Sequence, residues 1–229
     1  QVSGENRHPC GKTQKDKMNQ SRITSIETSS ALFAARFFSA LFRPVYYPLV
    51  GFVVLLCFSY LKMLPWQYKV WVLGLVFVNT IVLPSFLVGL YRRWKGWKRM
   101  HLRYQSNRTI PYVIHILCYA LTYYIMRVQH MPHFMLGILV VAILIQTICL
   151  VVNVWWKVSV HSAGAGGLVG GLYAYSLLFS FDPTWWLCGT ILLAGIVQTS
   201  RMVLRQHTLS QVLVGTLIGV VCGYVGILF

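Results

Sequence analysis

Long apolar runs dominate this chain, separated by short polar or proline-containing breaks. A bilayer core requires about 20 apolar residues per transmembrane helix. Runs of that kind, with turn signals such as Leu64-Pro65 and Asp182-Pro183 between them, predict an all-α polytopic membrane helix bundle with six or seven transmembrane helices. The count is six if the short segment that contains His115 is re-entrant. The predicted spans are 45–63, 68–90, 111–128, 133–155, 163–181, 184–203 and 209–229.

The first part of the chain has a different pattern. Residues 1–30 are rich in Ser, Thr, Asn, Gln and Lys and contain few large apolar side chains, which predicts a mobile polar tail. We expect residues 31–229 to form a single membrane-embedded helical domain. Within it, 31–43 combines aromatic residues with Arg36 and Arg43, a pattern that fits an interfacial helix or an extension of the first span equally well.

Composition and charge agree with a membrane protein. Hydrophobic residues make up 57% of the chain and charged residues 10%, whereas soluble domains average roughly 25% charged residues. With seven spans, 17 of the 20 Lys and Arg residues fall on one face of the membrane, and the positive-inside rule places that face in the cytoplasm. We expect anionic lipid headgroups as partners of this face, and no nucleic acid.

The scarcity of acidic residues excludes several kinds of site. Glu5, Asp16 and Glu27 lie in the tail and Asp182 lies on the opposite face, so neither a two-carboxylate mechanism nor a carboxylate-bound magnesium or calcium cluster is expected. The six cysteines include no C-x-x-C pair, and we expect no zinc site and no cofactor. Acid–base and nucleophilic chemistry would therefore fall to histidine.

Two polar islands stand at the ends of apolar runs on the cationic face. The first is 157–161, with Lys157, Ser159 and His161; the second is 200–211, with Ser200, Arg201, His207 and Gln211. Charged groups at such places are costly unless they pair or bind something anionic. Gly164 follows the first island at a predicted helix start, where free N–H groups favour an anion. The pattern indicates a phosphate site at the membrane surface.

Each of these residues also has a plain structural interpretation. If a helix begins near Thr208, the side chain of Gln211 leans back toward His207, and the amide carbonyl accepts the ring N–H. The same pair also fits a histidine that caps the helix beside a glutamine packed inside the bundle. Arg201 fits either a phosphate fork or a side chain that reaches the headgroups. Lys157 and Arg108 face the same choice.

Taken together, the islands resemble the type 2 phosphatidic acid phosphatase family, membrane lipid phosphatases related in site design to vanadium haloperoxidases. The family motif Ser-Arg-x5-His-x3-Asp is matched by 200–211, with Gln211 in place of Asp. Pro-Ser-Gly-His is matched in part by 159–161, where Val160 replaces Gly. Lys-x6-Arg-Pro is matched only loosely, by Arg108 with Pro111. The resemblance covers roughly residues 91–225.

The resemblance implies a metal-independent mechanism at a multi-pass protein of the bacterial cytoplasmic membrane. His207 would attack phosphorus to form a phosphohistidine, with Gln211 orienting it, and His161 would protonate the leaving oxygen. The substrate would be a lipid phosphate or polyprenyl diphosphate. The alternative is a catalytically weak or inactive membrane subunit that binds anionic lipid or a partner protein. The residues implied in phosphate binding are Arg201, Arg108, Ser159, Lys157, Ser200 and Gly164.

Overall fold

The computed structural model describes residues 32–58, 60–94 and 109–229. The predicted tail over 1–30 and most of the basic loop, including Arg108, lie outside the described residues. All the regular structure of the described part is helical. The helices are α1 (32–41), α2 (Tyr47–Phe58), α3 (Trp66–Phe77), α4 (Leu83–Trp94), α5 (Thr109–Val128), α6 (His133–Trp155), α7 (Val160–Phe179), α8 (Thr184–Val203) and α9 (Leu209–Leu228).

The described chain contains six helical segments that are long and apolar enough to cross a membrane. These segments are Leu32–Cys57, Trp66–Trp94, Thr109–Val128, His133–Trp155, Thr184–Val203 and Leu209–Leu228. The remaining long helix, α7, is equally 20 residues long, but its glycines lower its hydropathy. Together they form the expected all-α membrane bundle.

Two spans differ from the boundaries that the sequence predicts. The second predicted span extends over α3 and α4, which join without a break through a π-helical turn over Val78–Val82. The segment predicted as short and possibly re-entrant is α5, an uninterrupted helix of 20 residues. Since a re-entrant segment must reverse inside the membrane, the continuous helix favours the seven-helix count.

The helices are separated by the turns that the sequence predicts, and these turns contain proline or residues with left-handed backbone angles. Pro65, Pro132 and Pro183 each occupy the N-cap position of the helix that follows. This position suits proline because the first N–H groups of a helix have no partner within the helix. On the preceding side, His130 and Ser180 adopt positive φ values of 54° and 49°. These tight turns keep successive helices antiparallel neighbours.

The start of the domain is two helices rather than one. Arg43 has extended backbone angles, with φ −69° and ψ 144°, and it precedes the 3-10 turn Pro44–Tyr46. Pro44 disfavours a helical conformation at the residue before it. Residues 32–41 therefore form α1, which a bend joins to α2 within the apolar segment Leu32–Cys57, so the two do not form one straight helix.

α7 is the central helix, and glycines allow α9 to lie directly against it. A Cβ atom added at Gly219 would lie 2.0 Å from the carbonyl oxygen of Ala163, and one added at Gly223 would lie 2.4 Å from that of Gly167. The contact is reciprocal, since a Cβ at Gly170 would lie 2.1 Å from the Val220 carbonyl oxygen. Small residues permit such close backbone approach in membrane bundles.

Candidate functional site

The glycine contact between α7 and α9 brings the two polar islands together. Both helices begin at the same end of the bundle, just after the islands. There the Ser159 N–H donates to the Gln211 carbonyl at 3.4 Å. A Cβ at Gly215 would lie 2.7 Å from the Ser159 carbonyl oxygen, so no side chain separates the helix starts. Residues that are about 50 positions apart in sequence thus share one surface.

His207 and Gln211 form the pair that their spacing predicts. The Nδ1 atom of His207 lies 3.2 Å from Oε1 of Gln211, and the same oxygen accepts the backbone N–H of Thr208 at 3.3 Å. Because a backbone N–H can only donate, it identifies the amide atom facing both groups as the oxygen. The oxygen can only accept, so Nδ1 carries the proton and the lone pair belongs to Nε2.

Gln211 has a second role at the start of α9. Thr208 and Gln211 form a capping box, in which each side chain accepts from the backbone N–H of the other residue. The amide is therefore held from two sides, by the helix start and by the imidazole. A residue fixed in this way restricts the rotation of the His207 ring.

His161 is at the start of α7 and lies within electrostatic range of two guanidinium groups and one titratable imidazole. These are Arg201, His207 and Arg43. Its backbone carbonyl accepts a hydrogen bond from the hydroxyl of Tyr47 at 3.2 Å, which attaches the start of α2 to this helix turn. The structure thus brings His161, His207 and Arg201 to the same end of the bundle.

Arg201 lies in the last turn of α8 and connects the site to α1. Its Nη1 atom donates to the hydroxyl of Ser39 at 2.7 Å, and Ser39 is 9% exposed. Arg201 also interacts electrostatically with Tyr47. A hydroxyl is neutral, so the bond to Ser39 leaves the positive charge of the guanidinium intact.

Lys157 connects the two islands by a hydrogen bond. Its Nζ atom donates to the backbone carbonyl of Gln206 at 2.7 Å, the residue immediately before His207. The ammonium group therefore lies at the turn that carries the predicted nucleophile. It adds a positive charge to the surface that already holds Arg201 and Arg43.

Three residues predicted to bind phosphate have structural partners. Ser159 is the N-cap of α7, and its Oγ accepts from the Ser162 hydroxyl at 2.9 Å and from the Ser162 N–H at 3.4 Å. Ser200 donates its hydroxyl to the Ile196 carbonyl within α8. A Cβ at Gly164 would lie 2.2 Å from the Tyr47 ring, so this glycine accommodates an aromatic side chain.

The backbone N–H groups suited to an anion precede Gly164, the residue that the sequence indicated. Ala163 donates to the Ser159 carbonyl at 3.0 Å, and Ser162 N–H is directed to the Ser159 hydroxyl. The first turn of α7 therefore offers the N–H groups of Val160 and His161 rather than that of Gly164. These two are among the initial donors of the helix that have no acceptor within it.

Two residues of this surface were not predicted from the sequence, namely Tyr47 and Arg43. Both belong to the region around the α1–α2 bend, more than 110 residues before His161. Arg43 and Tyr47 each precede a proline, and neither belongs to a recognisable sequence motif. Arg108, the remaining predicted phosphate ligand, lies outside the described residues.

Among the described residues, no group of three or more His, Cys, Asp or Glu side chains is placed to hold a metal ion. Comparison of the chain with protein-family models, with curated proteins and with solved structures yields no match.

Proposed function

We propose that this membrane protein hydrolyses a lipid phosphate or polyprenyl diphosphate without a metal, as a divergent member of the type 2 phosphatidic acid phosphatase family. The observation that carries the proposal is the His207–Gln211 hydrogen bond, formed beside His161 and Arg201 at one end of the bundle. The proposed setting is the bacterial cytoplasmic membrane. There the lipid chains remain in the bilayer while the phosphate lies against the cationic end.

The proposed reaction has two displacements at phosphorus. In the first, Nε2 of His207 forms a bond to phosphorus while the bond to the leaving oxygen breaks. His161, whose protonated form is stabilised by the negative charge of the bound phosphate against the neighbouring cations, donates its proton to that oxygen. In the second, water attacks the phosphohistidine, His161 accepts a proton from it, and the bond between phosphorus and Nε2 breaks. The proton that His161 gives up in the first step is regained in the second, so the complete cycle leaves the enzyme unchanged.

Three positive side chains are proposed to hold the phosphoryl oxygens, namely Arg201, Lys157 and Arg43. Preorganised cations and N–H donors stabilise the charge that develops on these oxygens in the transition state. The Val160 and His161 N–H groups would assist from the start of α7. Gln211 replaces the family's aspartate, so it orients the imidazole but stabilises the imidazolium form less than a carboxylate would.

The test is phosphate release by purified protein in detergent with EDTA present, measured over a panel of lipid monophosphates and diphosphates. We expect wild-type turnover and a loss of at least about 10²-fold in both His207→Ala and His161→Ala, since general acid–base groups contribute about that much or more. His133→Ala is the matched control, because this exposed histidine lies at the opposite end of the bundle.

Two results would contradict the proposal. One is turnover that is unchanged in both histidine variants. The other is the absence of turnover by the wild-type protein with every lipid class, which would favour the alternative of a non-catalytic subunit that binds anionic lipid or a partner protein.

A further inference from the structure

Ser39 is a buried polar residue on α1, a helix whose surface is otherwise largely exposed. The side chains of Ser39 and of Ala35, one turn earlier, are buried, whereas those of Phe33 and Phe37 are exposed. Residues four positions apart lie on the same face of a helix. Therefore α1 contacts the bundle along a narrow stripe, and Ser39 supplies a hydroxyl to that stripe.

The hydroxyl of Ser39 contacts a charged group from a distant part of the chain. Its oxygen accepts a hydrogen bond from Nη1 of Arg201 at 2.7 Å, and the two residues are 162 positions apart. Hydrogen bonds with one ionised partner are short and roughly twice as strong as those between neutral groups. The contact between α1 and the last turn of α8 is therefore made by a strong bond to a cation.

This bond opposes two effects that would move the Arg201 side chain away from His161. Arg201 and Arg43 both lie within electrostatic range of His161, and their like charges repel each other. In addition, an arginine at the end of a membrane helix can extend its long side chain toward the lipid headgroups. A bond to a buried hydroxyl on a neighbouring helix holds the guanidinium back from both movements.

The bond also restricts the orientation of the guanidinium. This group is planar and rigid, and its five N–H donors point in fixed directions relative to one another. Once the Nη1 donor is directed at Ser39, the directions of the other donors are restricted as well. A phosphate that binds to such a group immobilises less side-chain freedom, which increases its affinity.

The position of α1 does not depend on the Ser39 hydroxyl. Phe42, just after α1, packs against a small apolar cluster that contains Tyr47, Ala165 of α7 and Ala194 of α8. The hydroxyl of Tyr47 is in turn bonded to the first turn of α7. These contacts hold the end of α1 against the bundle, so loss of the Ser39 hydroxyl should leave the helix in place.

We infer that Ser39 is a positioning residue, which holds Arg201 beside His161 in the orientation that binds the phosphate group of the substrate. The inference rests on the proposed function, because it assigns a new residue to the same site. Ser39 acts through Arg201 and does not itself bind the substrate. It makes α1 part of the site, although this helix contains none of the three matched motifs.

A double-mutant cycle tests whether Ser39 acts through Arg201. The cycle measures kcat/KM for release of phosphate from a lipid phosphate in detergent with EDTA. We expect Ser39→Ala to lower kcat/KM about tenfold, the equivalent of immobilising one long side chain, and Arg201→Ala to lower it at least about 100-fold. The double variant should match Arg201→Ala within about twofold, since the Ser39 hydroxyl then has no guanidinium to hold.

Two further variants separate positioning from packing. Ser39→Thr keeps the hydroxyl and should restore the activity that Ser39→Ala loses. Thr199→Val is the matched control, because it removes an exposed hydroxyl of α8 that donates to the Gly195 carbonyl of the same helix. We expect it to change kcat/KM by less than about twofold. The melting midpoint of each variant is measured in the same detergent, and that of Ser39→Ala should equal the wild-type value.

Titration calorimetry with inorganic phosphate tests the inference without turnover. We expect Ser39→Ala to raise the Kd for inorganic phosphate about tenfold, and Arg201→Ala to abolish measurable binding. If this pattern appears in a protein that releases no phosphate from any lipid, the proposed function is overturned and the role of Ser39 stands.

Three results would overturn the inference. The first is wild-type kcat/KM and wild-type phosphate affinity in Ser39→Ala, in a protein that does hydrolyse lipid phosphate, which leaves the proposed function standing. The second is a double variant whose loss is the product of the two single losses, since Ser39 would then act independently of Arg201. The third is the absence of both phosphate binding and turnover in the wild-type protein, which would overturn the proposed function as well.

Discussion

Replacing Gly219 with alanine would place a methyl carbon 2.0 Å from the carbonyl oxygen of Ala163. Ordinary contact between such atoms begins at about 3.4 Å, so α7 and α9 would have to separate by about 1.4 Å at this level. The Ala163 oxygen belongs to the backbone, so it cannot rotate away as a side-chain atom could. Overpacking of this kind costs about 1–3 kcal/mol, offset by about 1 kcal/mol because alanine favours the helix.

The displacement matters because His161 and His207 are carried by the starts of these two helices. A misplacement of about 1 Å at a reacting centre can cost roughly 10²-fold in rate. We therefore expect Gly219→Ala to lower phosphate release about 100-fold and to lower the midpoint of thermal unfolding. Gly215→Ala should act in the same direction but more weakly, since its Cβ would lie 2.7 Å from the Ser159 carbonyl oxygen.

Gly195→Ala is the matched control. A Cβ at this α8 position would have no atom within 4 Å, so the variant should keep both activity and stability. The assay pairs phosphate release with thermal unfolding in the same detergent. A Gly219→Ala protein with the wild-type melting midpoint and full turnover would refute the claim that direct backbone contact sets the relative position of the two islands.

Two further predictions concern the starts of α7 and α9. Gln211→Leu should lower turnover at least about tenfold by removing the acceptor of the His207 Nδ1–H, whereas Gln211→Glu should keep or raise it because a carboxylate stabilises the imidazolium; equal rates in both would show that the position serves packing alone. Ser159→Ala should destabilise the protein by about 1 kcal/mol through loss of the α7 N-cap, measured as a lower melting midpoint, and an unchanged midpoint would contradict the capping role.

Local spacing allowed part of this structure to be predicted. Apolar runs of bilayer length located the spans, and proline located the turns at Pro65, Pro132 and Pro183. The contact between His207 and Gln211 follows from a separation of four residues at a helix start, which is independent of the remaining fold.

Contacts between segments that are far apart in sequence could not be predicted from local spacing. The Tyr47 hydroxyl and the His161 carbonyl are 114 positions apart, and Arg201 and Ser39 are 162 apart. No local pattern specifies such pairs, because they depend on how whole helices pack. The same applies to Gly164, whose lack of a side chain is explained by an aromatic ring from α2 rather than by an anion.

The six apolar segments of the described residues and α7 together make an odd number of crossings, which has a topological consequence. The start of α2 lies beside His161, and successive helices alternate in direction. α9 therefore starts at the end of the bundle that holds His161 and finishes at the opposite end. A reporter protein fused after Phe229 would consequently occupy the compartment across the membrane from the histidines. Its fluorescence or enzymatic readout in intact cells would assign the sidedness of the chemistry without any substrate.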